Sequence, residues 1–148
     1  MKLNTLYIVL RNCIVAASLL VFISCGKMDP SAQKEKLSGY WQIETVELPD
    51  GTKKDFSFSA TLDYISLSEE KGMRTKVAPK LDGTFQNNGA SENFTTKIED
   101  DSLRLYYSTP FDTWKETVLV ATDSILKIKN KEGKIYAYKK FVKFTFDN

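Results

Sequence analysis

Histidine is absent from all 148 residues, and cysteine occurs only twice, at positions 13 and 25. The first absence removes the usual general base near neutral pH and the partner that activates a catalytic serine or cysteine. It also removes the commonest metal ligand, and the scattered carboxylates form no obvious metal cluster. No phosphate-binding loop, nucleophile elbow or paired catalytic carboxylates occur at a recognisable spacing. Long amphipathic helical periods are missing too, and with them the helical and α/β fold classes. A hydrolase built from carboxylates that only the fold brings together is the one enzymatic alternative left; otherwise no enzyme, no metal and no cofactor are expected.

The chain does contain an apolar run, from Cys13 to Ile23, preceded by Lys2 and Arg11 and followed by the small residue Ser24. That order is the three-part pattern of a secretory signal, and the run is too short to span a bilayer comfortably. Cys25 comes next. It has no histidine to make it a catalytic thiol, and its one disulfide candidate, Cys13, lies within the segment expected to be removed. The sequence Phe22-Ile23-Ser24-Cys25 resembles the lipobox of bacterial lipoproteins, which implies a diacylglycerol on the Cys25 sulfur. One acyl chain holds a protein marginally, whereas two or three on one cysteine anchor it durably. The expected location is therefore the bacterial envelope, as an outer membrane lipoprotein. Asp29, a single acidic residue after the cysteine, leaves periplasmic and surface-facing orientations open.

Residues 1–24 are thus read as a signal peptide, and residues 25–36, ending in PSAQKEK, as a flexible polar tether. Without Lys2 and Arg11, the 21 basic residues fall to 19, matching the 19 acidic ones. A neutral domain is not expected to bind nucleic acid. Residues 37–148 provide one modest core. They form short runs rich in aromatic and β-branched residues, over 39–48, 60–68, 72–78, 81–86, 92–99, 102–108, 113–122, 125–130 and 134–146. Turn chemistry separates them, including Pro49-Asp50-Gly51, Asn87-Asn88-Gly89 and Glu132-Gly133. Eight or nine antiparallel strands with hairpin-short connections favour an all-β up-and-down barrel over a sandwich.

The segment LSGYW, with Gly39 and Trp41, resembles the Gly-x-Trp opening of the lipocalins, and IEDDSLRLYY and DSILKIKNKEGKIYAYKKF look like the small lipocalin-like lipoproteins of bacteria. The resemblance runs from residue 37 to about 141. It implies that the glycine permits the turn into the first strand and that the indole plugs the closed end of the barrel. The chain departs from the lipocalin pattern in two places. Ser124 follows Thr122-Asp123 where a tyrosine is usual, and Lys139 and Lys140 stand where an arginine would stack on the tryptophan.

Counting by two along the strand after Thr113 gives the lane Trp114, Glu116, Val118, Val120, which carries a carboxylate into an apolar interior if it faces inward. Similar counting turns Phe85, Phe94, Ile98, Leu103, Leu105 and Tyr107 inward and puts Tyr136 and Tyr138 on one face. An unpartnered buried charge costs several kcal/mol, so an inward Glu116 needs arginine, tyrosine, water or a ligand beside it. The alternatives are a bulge that turns it outward or a solvated position at the barrel mouth. Trp114, Glu116, Phe85, Phe94, Tyr107 and Tyr138 are accordingly the candidate ligand-binding residues. Lys127 and Lys129 alternate with Leu126 and Ile128, which fits either a solvated outer face or a patch against anionic headgroups. Asp-Ser-apolar triplets at Ser102 and Ser124 fit a bacterial O-glycosylation pattern and, equally, plain Asx turns. The expectation is a lipid-anchored barrel that binds a small apolar or amphipathic molecule. The alternative is a protein-interaction module whose partner is another envelope protein.

Overall fold

The computed structural model describes residues 28–142. The expected signal segment, Cys25 and the end of the strand expected over 134–146 lie outside the described residues. Helix α1, Pro30–Lys36, comes first. Asp29 caps it by accepting a hydrogen bond from the Ser31 amide at 3.1 Å, and Pro30 occupies the first turn, where its missing N–H costs nothing. Much of the segment expected to be a flexible tether is therefore ordered helix. The physical reason is local: good capping at one end, and at the other Leu37, fully buried in the barrel core. Lys36 also bonds Asp123 at 2.8 Å, which ties the helix to the turn at residues 122–124.

Nine strands follow: β1 Gly39–Glu47, β2 Lys53–Asp55, β3 Leu62–Ser68, β4 Lys71–Pro79, β5 Phe85–Glu99, β6 Ser102–Ser108, β7 Thr113–Ala121, β8 Ile125–Lys129 and β9 Ile135–Lys140. From β3 to β9 each strand pairs antiparallel with the next, and β1 pairs with both β3 and β9. Eight strands thus close an up-and-down barrel of the expected kind, without the open edges that invite aggregation. Strand β3 covers only Gly39–Trp41 of β1, and β2 takes the vacated edge at Thr45–Glu47. No apolar alternation marks Lys53–Asp55, all three exposed, so the sequence gives no sign of β2.

The strands expected over 81–86 and 92–99 are one strand, β5, 15 residues long. Thr75 of β4 faces Ser91 and Val77 faces Asn87, so residues 88–90 bulge opposite Lys76 alone. Asn-Asn-Gly is turn chemistry, and here it serves a bulge rather than a turn.

At the closed end Trp41 is fully buried, and its indole N–H donates to the Leu37 carbonyl at 2.8 Å. Lys140 sits 4.3 Å from the centre of the indole ring system and donates to the Ser38 carbonyl at 2.5 Å. Gly39 has φ +136°, and a Cβ there would lie 2.4 Å from the Lys140 ammonium. The positive φ is what demands glycine, and Lys140 passes through the space it leaves. Lys140, not Lys139, takes the stacking position, while Lys139 pairs with Glu44 at 3.4 Å on the other face of β9.

The interior core runs from Leu37 and Trp41 through Ile65, Leu103, Leu105 and Leu126 to Tyr107. A second apolar layer lies outside the barrel over β1, β3 and β4. There Tyr40 stacks on Tyr64 with ring centres 4.6 Å apart and on Phe85 at 4.0 Å, and Leu62 and Val77, paired across β3 and β4, are buried beside them.

Candidate functional site

Strand β7 carries Trp114, Glu116 and Val118 inward, and its register with β8 slips between Val118 and Val120. Ala121 takes the next interior position, fully buried. Because the irregularity falls beyond Glu116, the carboxylate stays inside, only 8 % exposed.

Its partner comes from β4, where Gly72, Arg74 and Lys76 share the interior face. The Arg74 guanidinium is the hub. Its Nη2 donates to Asp63 Oδ2 at 2.9 Å and to the Tyr138 hydroxyl at 2.6 Å, and its Nη1 reaches Glu116 Oε2 at 3.4 Å. Lys76 Nζ approaches the other Asp63 oxygen at 2.5 Å. Asp63 is thus matched twice, and Glu116 is held by one long contact.

The aromatic wall is built around Tyr107. Trp114, its register partner on β7, lies parallel to it with ring centres 4.8 Å apart and planes 4° apart. Phe94 tilts against Tyr107 with ring centres 5.2 Å apart and lies over Gly72, where a Cβ would come within 2.2 Å of the phenyl ring. Glycine at 72 therefore makes room for Phe94. The Tyr107 hydroxyl is buried beside Arg74 and Glu116, near enough to act on both but without a well-formed hydrogen bond to either.

Electrostatics separate the two main carboxylates. Burial pushes Asp63 up, but Arg74 and Lys76 together outweigh it and hold the carboxyl below its usual range. Burial also pushes Glu116 up, and there Arg74 and the Tyr107 hydroxyl offset it only in part, while Glu92 and Asp63 add to the rise. Burial raises the Tyr107 and Tyr138 hydroxyls well above the ordinary tyrosine value, so both are neutral donors. Adjacent carboxyls shifted in opposite directions are common where proteins bind or react with polar groups.

A cavity of about 270 Å³ opens on this cluster, walled by Asp63, Arg74, Lys76, Glu92, Trp114 and Glu116. Of the residues singled out from the sequence, Trp114 and Glu116 line it, Tyr138 is joined to it through Arg74, and Tyr107 packs behind Trp114, while Phe94 and Tyr107 line a separate recess of about 450 Å³ beside Gly72. Phe85 lies apart from them, on the outer face against Tyr40, in a recess of about 470 Å³ with Phe58, Leu62, Pro79, Leu81 and Phe141. It shares its face with Val77 and Pro79 of β4, so apolar character at 85 reflects the outer layer rather than the interior. The outer recess is larger than the inner cavity, but the inner cavity holds the concentration of charge. Ile98 points along the inward lane yet is half exposed, beyond the packed core and near α1. Lys127 and Lys129 are exposed between buried Leu126 and Ile128, on the outer face. Arg74, Asp63, Lys76 and Glu92 escaped sequence reasoning. Their signal was the alternation Gly72-x-Arg74-x-Lys76, masked by the more apolar Met73-x-Thr75-x-Val77. Among the described residues no group of three acidic or thiol side chains is placed to hold a metal ion.

A closed antiparallel barrel plugged at one end by a tryptophan and open beside a buried polar cluster defines a ligand-binding type of domain. The chain belongs to the lipocalin-like domain family, whose description matches residues 37–128. Among solved structures it is similar to a lipocalin-like protein from Bacteroides uniformis, 13 % identical, with 72 % of this chain and 99 % of that one covered and a TM-score of 0.46. It is also similar to an uncharacterized protein from Bacteroides eggerthii, 15 % identical over 70 % of this chain and 98 % of that one, with a TM-score of 0.44. No curated protein matches the chain.

Proposed function

We propose that this protein is a lipid-anchored, non-enzymatic envelope lipoprotein that holds a small apolar or amphipathic molecule in the barrel interior. One observation carries the reading: Glu116 is buried with a single long contact to Arg74, beside Trp114 and the loosely bonded Tyr107 hydroxyl, at a cavity that reaches solvent. A polar group on a ligand would satisfy what the protein leaves unsatisfied, and the aromatic wall would take its apolar part. The absence of histidine and the commitment of Asp63 to Arg74 and Lys76 support binding over catalysis. Anchoring rests on Cys25 and its lipobox. Native mass spectrometry of the detergent-extracted protein should find a co-purifying small molecule, lost on Trp114→Phe. Wild type should partition into detergent in a Gram-negative host and Cys25→Ser should not; equal partitioning would remove the anchor.

A second reading is favoured by the loops. Phe58, Leu81 and Phe111 are 79 %, 98 % and 97 % exposed, more apolar surface than isolated turns require. An envelope protein docking there would make the barrel a scaffold for its loops, and a stable protein complex in the same mass spectrum would support that.

A further inference from the structure

The charges around the inner cavity do not balance. Three carboxylates, Asp63, Glu92 and Glu116, line it with two cations, Arg74 and Lys76. Both cations are spent on Asp63, at 2.9 and 2.5 Å, and Arg74 also serves Tyr138. Glu92, across from Arg74 on β5 and half exposed at the rim, forms no ion pair within 4.0 Å among the described residues. What is left to meet an incoming molecule is carboxylate: Glu116 at the base, Glu92 at the rim. Between them stands the Trp114 indole, backed by Tyr107.

From this arrangement we infer that the cavity selects a small organic cation, an amine or quaternary ammonium bearing a flat apolar group, over an anion or a neutral molecule of the same shape. The cationic head would lie between Glu116 and Glu92, and the apolar group along Trp114, where ring faces attract positive charge as well as apolar surface. A neutral Tyr107 hydroxyl beside Glu116 can donate to the carboxylate once the head neutralises it. A fatty-acid carboxylate would instead meet Glu92 and a Glu116 held by one long contact, and Arg74 is already engaged. The remaining ionisable groups facing Glu116 are Asp63 on β3, Arg74 and Lys76 on β4 and Tyr138 on β9; Arg74 and Lys76 are shared chiefly with Asp63, and Tyr138 accepts from Arg74. Burial, Glu92 and Asp63 raise the Glu116 carboxyl above its ordinary value, and a cation beside it would bring it down again. Cation binding should accordingly tighten, and anion binding weaken, as pH rises through that raised value.

This inference rests on the interior-site reading above, and the test separates the two. Full-length protein in nonionic detergent is titrated calorimetrically with phenethylamine, 3-phenylpropanol and 3-phenylpropionate, which share a phenyl group and differ in charge. Phenethylamine should bind at least about tenfold tighter than 3-phenylpropionate at pH 7.5, the ratio expected when a desolvated charge pair meets like charge in its place. Its affinity should rise as pH climbs through the raised Glu116 value. Glu116→Gln should weaken it about tenfold and flatten that pH profile, with a smaller loss for Glu92→Gln, a rim variant that keeps the test available if Glu116→Gln misfolds. Tighter or equal binding of 3-phenylpropionate or 3-phenylpropanol, abolished by Trp114→Phe, would overturn the cation inference and leave the interior site standing. If none of the three binds, both fall.

Discussion

The two sides of this barrel obey opposite rules. Along β6 and β7 the apolar lane faces in, Leu103, Leu105 and Tyr107 against Val118 and Trp114, and the polar lane faces out. At the cavity end of β3 and β4 the order inverts. Asp63, Arg74 and Lys76 face in, while Leu62 and Val77 face out beneath Tyr40, Tyr64 and Phe85; deeper along β3 the regular order returns with Ile65 inside. The difference shows that alternation reports where an apolar cover lies, not where the barrel axis is. A strand with cover on its outer face is free to turn charges inward, and there the charges make a site.

The largest effect should come from breaking the inverted side at its hub. Arg74→Ala leaves Glu116 buried without its cation and Asp63 with Lys76 alone, and should cost about 3 to 5 kcal/mol in urea unfolding. A cost below 1 kcal/mol would mean that water already screens the cluster. Next, if the outer layer is a core in its own right, Leu62→Ala should cost about 2 to 5 kcal/mol, like Leu105→Ala inside. A clearly smaller loss at Leu62 would reduce the outer layer to a surface patch. Acidity separates the two carboxylates more gently. Asp63, with its native pKa depressed, contributes stability that is present above the unfolded value and lost as pH falls through the native one. Glu116, with its native pKa raised, binds its proton more tightly when folded, so its contribution declines as pH rises from the ordinary carboxyl range through the native value. Asp63→Asn should flatten the acid limb of a stability–pH curve, and Glu116→Gln should remove the decline at higher pH. The smallest change expected is Phe58→Ser, within about 0.5 kcal/mol, since that ring is largely in solvent.

The regular side was legible in the sequence because period-two alternation has one meaning when a single face is covered. Tyr107, Trp114 and Glu116 followed from counting, and Gly39 and Trp41 from a motif whose physics is the close passage of Lys140. The inverted side was not legible. Phe85 was apolar and so was counted inward, whereas the stacking partner that keeps it outside, Tyr40, is 45 residues away. The bulge at residues 88–90 reads as a turn until β4 is laid beside it. Arg74 lacked any local mark, because an arginine in an exposed strand and one at the centre of a buried network look alike until Asp63 and Glu116 arrive from other strands.

The contact of Lys140 with Ser38 and Trp41 has a kinetic side. It spans 102 residues, and the strand pair that carries it, β1 with β9, is what closes the cylinder. Contacts so distant along the chain require the greatest loss of chain entropy before they return any stabilisation, and folding slows as they come to dominate. The meander from β3 to β9 can zip hairpin by hairpin, but until its last strand finds the first, both lie open as edges able to pair with another molecule. The pairing that gives the folded protein a sealed sheet therefore marks the stage at which the folding chain is most exposed to aggregation.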